Sequence, residues 1–144
     1  MNAEIIFDGN FPSSAETELK DLLDKACWLL PLWVQRLRVG WDREEGKIAT
    51  MRTEKDYRYC RLTIHPEFME HERDYQLQLL YHEIFHTFNT PALDTAKEYI
   101  ETLCDELKNE TLKDVMIKAV NAKMEASTED FSYAILNKFS DKNA

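Results

Sequence analysis

The sequence predicts an α+β fold, with an N-terminal helix, a small three-stranded antiparallel sheet and then helices to the end of the chain. Three observations predict it. Only 3 Gly and 4 Pro occur in 144 residues, too few turn formers for an all-β sandwich or barrel. Alternation of apolar and polar positions is confined to residues 38–66, and three- and four-residue apolar spacing dominates on both sides of it. Hydrophobic residues make up 44% and charged residues 31% of the chain. That balance supports one buried core with a soluble surface, so residues 1–144 are read as a single domain of ordinary size.

Pro12-Ser13-Ser14-Ala15-Glu16 reads as a helix start, with Ser13 as the cap and Glu16 placed to reach back to it. Leu19, Leu22, Leu23, Ala26, Leu30, Trp33, Val34 and Leu37 follow at helical spacing, and Pro31 kinks or splits that segment near residue 30. Val39-Gly40-Trp41, Lys47–Met51 and Tyr57–Ile64 read as three strands, with Cys60, Leu62 and Ile64 on one side of the last. Glu44-Glu45-Gly46 and Glu54-Lys55-Asp56 supply turns of hairpin length. After Pro66 the chain reads as helical, with breaks expected at Asn89-Thr90-Pro91, around Asn109 and near Ser127. Trp28, Trp33 and Trp41 are assigned to the core.

A formal charge of −9 at pH 7 repels polyanions at long range and argues against a nucleic-acid partner. The start of the chain lacks a basic segment followed by an apolar one, and no stretch approaches the roughly 18 apolar residues of a membrane span. A cytoplasmic protein with no membrane partner is expected. Cys27, Cys60 and Cys104 are odd in number and form no Cys-x-x-Cys pair, which fits a reducing compartment and offers no thiolate metal site.

The chemistry lies in His82-Glu83-Ile84-Phe85-His86, an H-E-x-x-H motif inside a predicted helix. Composition alone predicts about 0.01 accidental occurrences in a chain of this length. Positions i and i+4 share a helical face, so His82 and His86 can reach one tetrahedral Zn²⁺ while Glu83 reaches a water on the metal. At 100° per residue Tyr75, Leu79, His82, Glu83 and His86 fall on one side, and Leu77, Leu80, Tyr81, Ile84 and Phe88 on the other. One stripe faces the core and the other a further helix. A zinc enzyme needs a third protein ligand. No His follows His86, and His65, before a Pro at a strand exit, reads as a structural group, so a downstream carboxylate is expected.

With its central H-E-x-x-H helix, its preceding strand unit ending in Leu62-Thr63-Ile64-His65-Pro66 and its late acidic helix, the chain from about Arg38 to Phe139 resembles the small gluzincin-type zincins. These include phage-encoded metallopeptidases with a minimal thermolysin-like core. The resemblance implies a zincin-like fold and a third ligand that opens a Glu-x-x-x-Asp pattern, whose second acid steadies a zinc-bound His. Glu101 with Asp105 matches by letter; Glu125 with Glu129 matches with Glu in the second place. The segment Met124–Ile135 is similar to the ligand helix of the family, which favours Glu125. A helix doubling back after Pro91 would instead bring residues near Glu98 or Glu101 level with the histidines. Tyr133 and Tyr99 are candidates for stabilising an oxyanion.

The expected activity is zinc-dependent hydrolysis of peptide bonds in a peptide or protein substrate. His82, His86 and Glu125 would be the metal ligands and Glu83 the general base. The alternative is a zinc-binding protein of the same fold that acts as a non-catalytic or latent partner-binding module.

Overall fold

The computed structural model describes residues 3–44, 46–54, 56 and 58–139. Glu45, Lys55 and Tyr57, which the sequence reading puts in two turns and a strand, lie outside the described residues. Strand β1 (Glu4–Phe7) leads into helix α1 (Ser13–Ala26), followed by a 3₁₀ turn over Cys27–Leu29. Strands β2 (Arg36–Trp41), β3 (Ala49–Thr53) and β4 (Tyr59–Ile64) come next, then a 3₁₀ turn over Pro66–Glu70 and the long helices α2 (Arg73–Glu106) and α3 (Glu110–Phe139).

The α+β class stands, but the sheet is not the three-stranded antiparallel one expected. It has four strands in the order β1-β2-β4-β3, with β1 and β4 parallel to β2 and only β3 antiparallel, to β4. Two physical facts explain the difference. Glu4-Ile5-Ile6-Phe7 is too short and unalternating to signal a strand, and it pairs with β2 only because α1 supplies the crossover. Consecutive strands are neighbours only about two-thirds of the time; here β3 sits at the edge and β4 inserts beside β2.

Leu19, Leu22, Leu23 and Ala26 of α1, Leu77, Leu80, Tyr81 and Ile84 of α2, and Leu37, Val39, Cys60, Leu62 and Ile64 of the sheet form one core. Leu37 reaches it from a strand, because the chain turns at Pro31 and becomes extended by Arg36. The capping box at Ser13 does not form: the helix begins at Ser13 itself, and Glu16 N–H donates to Pro12 O at 2.9 Å. The aromatic assignment also needs correction. Trp28 is 55% exposed, meeting Phe139 edge-on, and Trp33 is 42% exposed against Phe88, because both follow α1 in a segment that runs past the rim of the core.

On the uncovered face of the sheet, Asp8 receives hydrogen bonds from Arg38 Nε at 2.6 Å and Arg61 Nη2 at 2.8 Å. Arg38 and Arg61 are directly opposed in the β2–β4 register, a like-charge pairing that costs stability unless an acid bridges it. A Cβ at Gly40 would lie 2.8 Å from Arg61 Nη2 and 3.1 Å from Asp8 Oδ2, so glycine leaves room for that bridge. No helix among the described residues is long and apolar enough to cross a membrane.

Helix α2 runs unbroken through Asn89-Thr90-Pro91, where a break was expected. Pro91 cannot donate a backbone hydrogen bond, but side-chain hydroxyls occupy nearby carbonyls: Thr90 donates to His86 O at 2.7 Å and Thr95 to Pro91 O at 2.9 Å. The hairpin turns instead at Leu107–Asn109, with Lys108 at φ 52° and Asn109 Oδ1 accepting from Leu112 N–H at 3.0 Å. The break near Ser127 is absent too, and α3 is continuous.

Burial raises the Asp8 carboxyl, yet the hydrogen bond from Arg38 and the charges of Arg61 and Arg38 outweigh it and leave the group below its ordinary value of 3.8. A depressed acid stabilises the fold above its unfolded pKa and stops doing so as pH falls through the lower folded value. Asp8→Asn should therefore lose about 1 kcal/mol at pH 7, a modest figure because both arginines remain half exposed. In urea titrations the gap between parent and variant should close below about pH 4, the unfolded aspartate range; a gap independent of pH would contradict this account.

Candidate metal centre

Helix α2 presents two stripes, as its periodicity requires. Leu77, Leu80, Tyr81 and Ile84 are buried in the core, and the face carrying His82, Glu83 and His86 turns toward α3 and β3. Phe88, expected on the apolar stripe, is half exposed.

Helix α3 returns antiparallel to α2 with a polar seam between them. Its buried side chains among the described residues are Thr128 and Ser132. Asn89 Nδ2 donates to Thr128 Oγ1 at 2.9 Å, and Gln78 Nε2 donates to Ser132 Oγ at 2.9 Å. These two bonds set the rotation and register of α3. They place Glu125 and Glu129, one turn apart, beside His82 and His86, also one turn apart.

Glu125 Oε1 lies 2.9 Å from His82 Nε2, Glu125 Oε2 lies 3.4 Å from His86 Nε2, and the two ring nitrogens are 3.1 Å apart. Zinc bonds of 2.0–2.1 Å in tetrahedral geometry put ligand atoms about 3.3 Å from one another. The two nitrogens, 3.1 Å apart, are close to that spacing, and each faces a different oxygen of the Glu125 carboxylate. An imidazole nitrogen has one in-plane lobe, so His82 Nε2 cannot serve both neighbours well by hydrogen bonding, whereas one cation could be met by both rings and the carboxylate. Two imidazoles and a carboxylate are also the chemistry of a catalytic zinc site. Among the described residues these three are grouped closely enough to hold a metal.

Glu129 Oε2 sits 2.6 Å from His82 Nδ1. The contact is close without being an aligned hydrogen bond, and Nδ1 has no hydrogen-bond partner among the described residues. An acid at the second ring nitrogen orients a metal-binding imidazole.

Glu83 is 8% exposed, and its Oε2 accepts a hydrogen bond from Met51 N–H at 2.7 Å. Burial pushes its carboxyl up to about 7; the Met51 bond and the Lys47 charge oppose this, and the Glu125 charge adds to it. His86 is held below its ordinary value, first by burial, with Glu125 opposing and His82 and Lys47 assisting. A neutral imidazole is the form that binds a metal.

The site opens into a cleft of about 620 Å³ between β3 and the α2–α3 pair. Ile48 O and Glu54 N–H bond to β4 and its flanks. By strand alternation Ala49, Met51 and Thr53 direct their backbone groups the other way, toward α2.

Glu101 is excluded from this cluster by the fold. It lies on the same helix as His86, about 22 Å further along the axis at 1.5 Å per residue, and it is exposed. Its partner in the letter pattern, Asp105, pairs with Lys113. His65 is structural, with Nδ1 accepting from Glu67 N–H at 3.1 Å and Nε2 3.2 Å from Arg43 O. Tyr133 lines the cleft, while Tyr99 is 75% exposed on the distal part of α2. Sequence reasoning missed Lys47, Tyr75 and Thr90 as cleft residues. Tyr75 stood on the ligand-bearing stripe, whereas Lys47 and Thr90 carried no distinguishing signal.

No protein-family model, curated protein or solved structure matches the chain.

The polar seam makes a direct prediction. Thr128→Val keeps the shape of the side chain and removes the acceptor of Asn89, so the variant should lose about 1–2 kcal/mol in urea denaturation. Asn89→Ala combined with Thr128→Val should recover part of that loss, because no unpaired amide then remains.

Proposed function

We propose that the chain is a zinc-dependent metallopeptidase of the small gluzincin type, with a zincin-like domain. In this reading His82, His86 and Glu125 hold the metal, Glu83 is the general base and Glu129 steadies His82. The observation that carries the reading is the arrival of Glu125, from a separate helix, at the two nitrogens that the H-E-x-x-H motif singles out.

Zinc, when bound, lowers the pKa of a coordinated water to about 7 and polarises a carbonyl. The residues of the chain do the rest. Met51 N–H fixes one oxygen of Glu83, which leaves the other to take a proton from the attacking water and return it to the leaving amine as the C–N bond breaks. An extended peptide finds backbone partners on the outward edge of β3, next to Glu83. A second reading, a zinc-binding module without hydrolysis, is favoured by the hydrogen bond that already occupies Glu83.

Protein purified without added metal should contain about one zinc per chain by elemental analysis. His82→Ala and Glu125→Ala should lose it, and Glu101→Ala should keep it. Glu129→Ala should bind zinc at least about tenfold more weakly. Glu83→Gln should keep its zinc while peptide hydrolysis falls by about a hundredfold or more. Full zinc retention in His82→Ala would refute the ligand set; zinc without cleavage in the parent protein would select the non-catalytic reading.

A further inference from the structure

The cleft is lined by three carboxylates, Glu83, Glu125 and Glu129, and by a single Lys or Arg, Lys47. Lys47 lies on the segment that leads into β3, two residues before Ala49, and its side chain is exposed. Among the described residues it has no carboxylate within ion-pair distance, although the chain carries 27 acidic residues against 18 basic ones.

From the geometry we infer that Lys47 is a specificity-determining residue: its ammonium receives a carboxylate of the bound peptide near the scissile bond. The inference rests on the peptidase reading of the same site. Lys47 and Met51 border the cleft on one continuous run of chain, and Met51 marks the position of Glu83 along β3. From Ala49 the strand advances about 3.3 Å per residue, and Lys47 lies two residues before that start, with a side chain about two strand residues long. A peptide aligned with β3 therefore presents to Lys47 a group two or three residues from the bond beside Glu83. The charge of Lys47 is felt at both Glu83 and His86, so the residue is within electrostatic reach of the centre. Apart from the proposed metal, the other charged side chains lining the cleft are the carboxylates of Glu83, Glu125 and Glu129. An acidic group is thus steered to one end, while a basic group in that position is repelled by Lys47.

The carboxylate has two possible sources, an acidic side chain or the free C-terminus of the substrate. Peptide libraries with Asp or Glu against Asn or Gln at each position, each made as free acid and as C-terminal amide, separate them. The zinc-loaded parent should cleave peptides with a carboxylate at one fixed position about fivefold better than their amide counterparts, the range of an exposed ion pair. That ratio should fall toward one in Lys47→Met and favour Lys over Glu in Lys47→Glu. It should also shrink with added salt.

Binding supplies a readout that does not depend on turnover. Fluorescence anisotropy with the Glu83→Gln protein should show the same carboxylate preference, and adding Lys47→Glu should reverse it. Cleavage with no carboxylate preference, or a preference that survives Lys47→Glu, overturns the inference and leaves the peptidase reading intact. Selective binding that Lys47→Glu abolishes, with no cleavage by the parent, keeps the role of Lys47 in binding and overturns the peptidase reading. Neither cleavage nor carboxylate-selective binding overturns both.

Discussion

The polar seam between α2 and α3 is the constraint on which the site depends. A 30-residue helix usually takes its orientation from an apolar stripe, yet the buried side chains of α3 are the small polar residues Thr128 and Ser132. Two directional hydrogen bonds, from Asn89 and Gln78, work beside the apolar contacts of Ile135 and Leu136 with the core and the stacking of Phe131 on Phe85. Each is worth only about 1 kcal/mol net, but each has a required angle and distance, so together they specify one rotation of α3. That rotation puts Glu125 between two ring nitrogens. An apolar seam would bury more area and tolerate small slips; a slip of one residue would turn Glu125 by about 100° away from His82. The seam gives up strength for positional accuracy, as the ligand set proposed across the two helices would require.

The other half of the site is held by the sheet. The buried stripe of α2 belongs to the same core as Leu62 and Ile64 of β4 and the apolar side chains of α1, so one face of the helix is fixed by that core. The edge strand β3 then meets the opposite flank of the helix through Met51 N–H and Glu83 and through the Thr53 and Thr90 hydroxyls, 3.5 Å apart. The unpaired edge of a sheet ordinarily invites aggregation. Here part of that edge is occupied by a carboxylate and part lines the cleft. One feature therefore blunts an exposed strand, orients Glu83 and leaves backbone groups available to an extended chain.

Features set by local spacing were legible in the sequence, and features set by long-range pairing were not. The histidine stripe of α2, the inward face of Cys60, Leu62 and Ile64 and the turn around Asn109 all follow from positions a few residues apart. The choice between Glu101 and Glu125 depended on where the chain reverses. Pro91 is a strong local breaker, but a hydroxyl-rich neighbourhood and the packing of α3 overrode its cost of about 3 kcal/mol. The true reversal uses a left-handed Lys108, which lacks the glycine that normally announces a helix end. Once the turn moved from residue 91 to residue 108, Glu101 stayed on the helix of the histidines and Glu125 came level with them. β1 escaped notice because a four-residue strand has no periodicity to read. Trp28 and Trp33 were misjudged because aromatic spacing does not say whether a neighbour exists to cover the ring.

The electrostatics of the cleft are compatible with the cation proposed there. Glu83, Glu125 and Glu129 share one cleft in a chain of charge −9, and burial together with Glu125 lifts the Glu83 carboxyl to about 7 despite the Met51 hydrogen bond and Lys47. Holding a buried carboxyl beside a second carboxylate costs folding stability, and packing here does not require it, since glutamine would fill the same space without the charge. A divalent ion is the largest local charge in any site it enters and reverses such a balance. Glu125 would then become a ligand where it had been a source of repulsion, Glu83 would ionise more readily, and His86, already biased toward its neutral form, would need no proton removed. On the proposed reading, one added positive centre would therefore relieve the repulsion that burial imposes on Glu83.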